Sequence, residues 1–215
     1  MQHKDLNVLF NKSFEEEALT KKQRAVLQAS LKLFADKGYD ATTTSDIATL
    51  AGVAEGTVYK HFKTKENILN SLLIPFIREV VPKISNEFLE SIEAGSFDQL
   101  SSLLKYMISN RLKFAMDNNF VAKIFVKELL EKPILINELK KKIEENLVYR
   151  FKPIINKLKN NNELIDISTE KFFQYLLSTL MGYVFPIIFI NKGKKINIGE
   201  VTNDAVNFLM NGLHP

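Results

Sequence analysis

The run TTTSDIATLAGVAEGTVYKHFKTKENIL, Thr42 to Leu69, decides how the rest of the chain is read. Asp46 follows Thr43 by three residues, the spacing at which a capping hydroxyl and a carboxylate exchange hydrogen bonds with each other's backbone, so a helix is expected to begin at Thr43. It is short and ends near Ala51–Gly52, where a glycine can close a helix. The tight connection GVAEG leads into a second short helix, about Glu55 to Phe62. Val58 and Phe62 stand four apart on one face, suited to packing on Ile47, Ala48 and an earlier helix. Thr57, Tyr59, Lys60 and Lys63 are then left pointing outward to varying degrees. Thr64 reads as the cap of the following helix, with Asn67 at its third position and Glu66 in the favourable first turn.

Working outward, a polar arm (residues 1–19) precedes a helix from about Thr20 to Lys37, with Ala25, Leu27, Ala29, Leu31, Leu33 and Phe34 as apolar positions and Gly38 as its stop. Beyond Thr64 the helices lengthen, near 65–92, 97–117, 119–131, 133–160, 169–191 and 200–212. Turn signals separate them at Ala94–Ser96, Asp117–Asn119, Asn160–Asn162 and Asn191–Lys195. Pro75, Pro82, Pro153 and Pro186 fall inside these spans and predict kinks or breaks. No alternating strand pattern or internal repeat interrupts the three- and four-residue apolar spacing. The expected fold is all-α with about nine helices: an N-terminal three-helix domain over 20–66 and a larger helical domain over 67–215.

Composition narrows the function without naming it. The chain has 215 residues, 46% of them hydrophobic, ample for a sizeable core. It contains no cysteine, which excludes disulfides and cysteine-based metal sites and fits a reducing compartment. The polar, acidic N-terminus (Glu15, Glu16, Glu17) does not read as a secretory signal. A formal net charge of +4 is a mild bias that does not by itself identify a nucleic-acid partner. Phe172–Ile190 runs nineteen residues without a charge, near membrane-spanning length. It also carries Gln174, Tyr175, Ser178, Thr179 and Pro186, so a helix buried in an interface is favoured over a span. Tyr59–Lys60–His61 lacks a carboxylate partner at suitable spacing and any nucleophile motif, and no HExxH, Walker or GxGxxG pattern is present. An enzyme is not expected, nor a metal or cofactor.

Two short helices joined by a glycine-containing turn, the second presenting small, basic and aromatic side chains, make a helix-turn-helix whose second helix fits the roughly 12 Å-wide major groove of DNA. Gly56, lacking a side chain, allows close approach of the helix N-terminus to DNA. The Thr42–Leu69 run resembles the DNA-binding domain of TetR-family repressors. It matches that pattern at Thr43, Ile47, Ala48, Ala51, Gly52, Val53, Gly56, Thr57, Val58, Tyr59, Phe62, Lys65 and Leu69, and the preceding FADKGYDATT fits as well. It departs at Thr44, where an apolar residue is usual, and at Ala54, where a small polar residue often begins the turn.

The resemblance covers about residues 21–69. It implies a homodimer with two N-terminal DNA-binding domains on C-terminal domains that bind a small molecule. By resemblance Thr44, Tyr59 and Lys65 contact phosphates, and Ser45, Glu55, Thr57 and Lys60 occupy base-reading positions, with His61 at the DNA edge. The helices near 169–191 and 200–212 resemble the family's dimer interface.

In the C-terminal part, Arg111 falls near the middle of an apolar face made by Leu104, Met107, Ile108, Leu112 and Ala115. Glu128 is similarly placed among Val121, Ile124, Phe125 and Leu129. A buried charge must be paired or hydrogen-bonded. Either the two form an interhelical salt bridge or Arg111 snorkels to the surface, or else Arg111 faces a polar or anionic group of a ligand. Tyr106, Asn110, Tyr149 and Tyr175 are further polar ligand candidates. The resulting expectation is a cytoplasmic repressor that binds a palindromic operator on double-stranded DNA as a homodimer and is released by a small, lipophilic effector. The rivals are a nucleoid- or division-associated factor with the same heads and a regulator anchored in a membrane by 172–190.

Overall fold

The computed structural model describes residues 19–95, 97–131, 133–143, 147–190 and 196–215. The expected arm, apart from Leu19, and the turn signals at Ser96 and 191–195 lie outside the described residues. The described residues are helical, with no strand among them: α1 (Lys21–Lys37), α2 (Thr44–Ala51), α3 (Glu55–Phe62), α4 (Lys65–Pro75), α5 (Val81–Gly95), α6 (Leu100–Asp117), α7 (Asn119–Glu131), α8 (Pro133–Ile143), α9 (Tyr149–Asn160), α10 (Thr169–Phe185) and α11 (Ile198–Leu213). The fold class is the all-helical one expected.

The boundaries follow local chemistry. Thr20 and Gln23 form a reciprocal capping box at the start of α1, and Thr43 and Asp46 form another at α2. Gly38 closes α1 with φ 86°, and Gly52 closes α2 in the left-handed region at φ 65°. The Thr64 hydroxyl accepts from the Asn67 N–H and opens α4. α3 differs: its N-cap is Ala54, which has no side-chain oxygen to offer.

Wide π turns follow two of the expected kinks. Phe76–Val80 joins α4 to α5 immediately after Pro75, and Pro186–Ile190 extends α10. A proline has no N–H to donate and its ring crowds the preceding turn, so α-helical bonding is interrupted there. Pro153, by contrast, lies inside α9.

The chain divides into two compact units. One runs through Val81 and takes in Ile124–Leu139; the other comprises Pro82–Lys123 and Lys140–Pro215. The division falls between Val81 and Pro82, at the start of α5. In the first unit α1 packs on α2, α3 and α4. Val26, Leu27, Phe34, Ile47, Val58, Ile68 and Leu69 are at most 1% exposed, so each contributes roughly 1.5–3 kcal/mol of burial. The second unit is built around α6, which packs on α10 and α11. Phe151 and Phe172 are fully buried there and meet Phe173 edge-on. The Glu163 carboxylate accepts from the Leu100 N–H at 3.0 Å and so caps α6 across sixty-three positions of sequence.

Candidate nucleic-acid interface

α3 is held by its inward residues. Val58 is 1% exposed and Phe62 6%, and both are buried where α3 packs on α1, α2 and α4. This anchoring turns Glu55, Gly56, Tyr59 and Lys60 to the surface, and Tyr59 is 49% exposed. Thr57 is half-buried, and Ser45 on α2 is exposed. A side chain built at Gly56 would meet nothing within 4 Å, so the fold leaves open space outside this helix start.

Thr44 joins the two helices at this face. Its hydroxyl donates to Glu55 Oε1 at 2.9 Å and lies 3.1 Å from the Tyr59 hydroxyl. A threonine has one hydroxyl hydrogen and a carboxylate accepts only, so the Tyr59 O–H donates to Thr44 Oγ1. The polar residue that departs from the family pattern therefore lines up Tyr59 and Glu55 from the neighbouring helix.

Lys65 has a different setting from the phosphate contact expected of it. Its ammonium donates to the carbonyls of Tyr39 and Thr42, each at 2.9 Å, and reaches that of Asp40 at 3.4 Å. It also lies 4.3 Å from the Tyr39 ring centroid. An ammonium has three N–H donors, and these carbonyls use them. His61 is also set apart from the exposed face. It is half-buried and lines a groove of about 440 Å³ with Leu19, Gln23, Asn67, Asn70 and Ile74.

Lys63, which sequence reasoning read only as an outward cation, links α3 to α4 in a strained backbone. Its φ and ψ are 60° and −43°, and the Thr64 N–H donates to the Phe62 carbonyl at 2.6 Å. This is a γ-turn of positive φ, rare for a residue with a side chain. Asp46 accepts hydrogen bonds from Lys37, at 2.6 Å, and from the side chain and backbone of Thr43. The Lys37 bond, followed by those from Thr43, holds its carboxyl well below the usual range.

The ligand candidates separate. Tyr106, Asn110 and Arg111 come together on α6. The Arg111 guanidinium lies 4.1 Å from the Phe88 ring centroid and 5.2 Å from that of Phe114, and its Nε donates to Asn110 Oδ1 at 3.0 Å. Tyr106 stacks on Phe88 with centroids 6.1 Å apart. Tyr149 does not join them. It is 79% exposed at the start of α9, because Phe151 and Ile155 take that helix's inward positions. Tyr175 lines a groove of about 580 Å³ between α10 and α11, with Ser178, Thr179, Phe208, Asn211 and Gly212. The Glu128 side chain lies outside the described residues.

α10 and α11 carry Leu177, Phe185 and Phe208 exposed, Phe208 at 68%. Tyr183 on α10 donates to Asp204 on α11 at 2.7 Å, which holds the phenol above its usual pKa. Thr169–Ile190 is long and apolar enough to cross a membrane, and only 22% of its most apolar window is buried within the chain.

Residues 26–72 match the family model described as bacterial regulatory proteins, tetR family. The chain is 27% identical over 147 residues to the HTH-type transcriptional repressor KstR2 of Mycolicibacterium smegmatis, covering 59% of this chain and 71% of that one. It is 23% identical over 195 residues to the fatty acid metabolism regulator protein of Bacillus subtilis, covering 90% and 96%. The crystal structure of the transcriptional regulator FadR from Bacillus subtilis in complex with stearoyl-CoA has the same fold, with a TM-score of 0.59 and 21% identity, covering 88% of this chain and 98% of that one. Residues 26–72 thus carry the domain of tetR-family regulators, with α2 and α3 as its helix-turn-helix, and the chain is similar to transcriptional regulators over most of its length.

Proposed function

We propose that the protein is a repressor that binds a palindromic operator as a homodimer and lets go when a small lipophilic molecule occupies its C-terminal domain. The exposed face of α3 carries the first half of this reading. A helix with Glu55, Tyr59 and Lys60 outward, Thr57 half-buried beside them, and Val58 and Phe62 inward is shaped to enter a major groove. Tyr59 and Thr44 serve as phosphate contacts when their hydroxyl hydrogens turn from Thr44 and Glu55 to the phosphate oxygens. Ser45, Glu55, Thr57 and Lys60 read base edges, with Lys60 donating to guanine and Glu55 accepting from a cytosine amine.

One eight-residue helix reads few base pairs, so two heads are needed, spaced about one DNA turn, about 34–36 Å, apart. The exposed apolar side chains of α10 and α11 supply a face that a second copy would cover. The effector reading draws on relatives named for fatty-acid metabolism and on a fold relative holding stearoyl-CoA. An effector that prefers one conformation shifts a two-state equilibrium and lowers operator affinity by the same free-energy coupling. The wide turn at Phe76–Val80, between Pro75 and Pro82, is the place where the helix that follows the helix-turn-helix yields. Such a regulator works in the cytoplasm, where the DNA is.

Genomic fragments selected on the purified protein test the reading. A few palindromic promoter fragments should bind at least tenfold tighter than bulk DNA, and Lys60→Ala should reorder their ranking. Occupancy spread evenly along the chromosome would support a nucleoid factor, and a chain that stays in the membrane fraction without detergent would support an anchored regulator.

A further inference from the structure

The guanidinium of Arg111 is enclosed in an uneven way. Its central carbon lies over two aromatic rings, Phe88 at 4.1 Å and Phe114 at 5.2 Å to the ring centroids. One edge is used, Nε and Nη2 both donating to the single oxygen of Asn110. That acceptor is neutral. Among the described residues no carboxylate pairs with Arg111, and the group is half-buried, not sealed from solvent. The surrounding face of α6 is fully buried at Leu104, Met107, Ile108 and Leu112. Loss of water around the group pushes its pKa down to about 10, which leaves it a cation at neutral pH.

An arrangement of this kind has specific chemistry. Rings set against a guanidinium leave its N–H edges available, and those edges match the paired oxygens of a carboxylate or phosphate. Asn110 accepts from one edge, which orients the plane. Phe88, Phe97 and Tyr106 form a continuous aromatic wall beside it, Phe97 and Tyr106 with centroids 5.3 Å apart. An apolar tail can lie along such a wall. A half-buried cation whose acceptor among the described residues is a neutral amide is better matched by an anionic ligand than by a neutral one.

We propose that the effector is an organic anion with an apolar tail, and that Arg111 is the cation that holds its charged head. The inference rests on the effector-release reading above and narrows it to a class of molecule. The shared chemistry is a pair of anionic oxygens. It can come from a free fatty carboxylate or from an acyl thioester whose charge sits on the phosphates of its carrier.

Titration calorimetry with decanoate, decanoyl-CoA and decanol separates these, on the full chain and on Arg111→Gln and Arg111→Lys. At least one anion should bind tenfold or more tighter than decanol, and which one identifies the source of the charge. Arg111→Gln should bring that anion to the affinity of decanol without altering decanol itself. Arg111→Lys, which keeps the charge and loses the paired edge, should fall between, and it carries the test if the glutamine variant does not fold. Equal binding of anions and decanol, no binding by any of the three, or a preference untouched in the folded variants would overturn the proposal. Operator release is read in parallel. If decanol releases the operator as well as the anions do, effector release stands and the anion anchor falls. If anions bind through Arg111 and operator affinity does not change, the anchor stands and effector release falls.

Discussion

The Nζ of Lys65 donates to the carbonyl oxygen of Thr42 at 2.9 Å, joining the first residue of α4 to the residue just before the α2 cap. With the Tyr39 and Asp40 carbonyls also engaged, this ammonium ties the α1–α2 loop to α4. A lysine spent on carbonyls supports DNA binding through geometry and not through charge. Lys65→Met should cost about 1–3 kcal/mol of stability and weaken binding to all DNA sequences alike. The slope of log affinity against log salt should stay unchanged. A slope smaller by about one would mean that a phosphate contact had been lost.

Glu55 places a carboxylate at the exposed start of α3, tethered by Thr44. Phosphates approaching this point are repelled. Glu55→Gln should therefore tighten binding to non-cognate DNA, by about 1 kcal/mol at low salt, and flatten the preference at one base pair of the operator. Competition binding with bulk DNA measures both effects. Unchanged non-cognate affinity would place Glu55 away from the duplex.

Lys63 occupies a backbone region that suits glycine. Lys63→Gly should raise the stability of the helix-turn-helix by about 1 kcal/mol, and Lys63→Val should lower it by at least as much. Thermal melts of the two variants check the sign. Similar melting of both would show that the turn relaxes at no cost.

The Asp46 carboxyl, held below its usual range by Lys37 and Thr43, stabilises the fold when it is ionised. That contribution is complete above the ordinary carboxylate value of about 4 and is lost as pH falls through the lower folded value. Asp46→Asn should lower Tm at pH 7, and the gap from wild type should close as pH drops below about 4. A gap that widens in acid would reverse the assignment.

Phe208 stands 68% exposed on α11, in the face proposed to pair with a second copy. Phe208→Arg should convert the dimer to monomer in light scattering, since an unpaired charge would be buried in the interface. Operator affinity should collapse with it. A variant that remains dimeric would move the interface elsewhere.

The DNA-binding end was largely legible because its signals are local. Thr43 with Asp46, Gly38, Gly52 and Thr64 each sit within a few residues of the backbone groups they satisfy, and all four fall where expected. The carbonyl partners of Lys65 were not legible, because they lie more than twenty positions away and every residue type carries a carbonyl. Pro75 and Pro186 announced interruptions without saying that the helix would continue through a wider turn. The outward direction of Tyr149 was not legible because it depends on the phase of α9, set by the burial of Phe151 and Ile155.

The carboxylate of Glu163, which closes the open end of α6, comes from far along the chain. Ribosomes make proteins from the N-terminus, so the stretch beginning at Leu100 leaves the exit tunnel well before its distant cap exists. Until then the start of that helix frays into water. Truncated products that stop short of Glu163 should consequently be favoured prey for proteases, although every residue of their DNA-reading end is already in place.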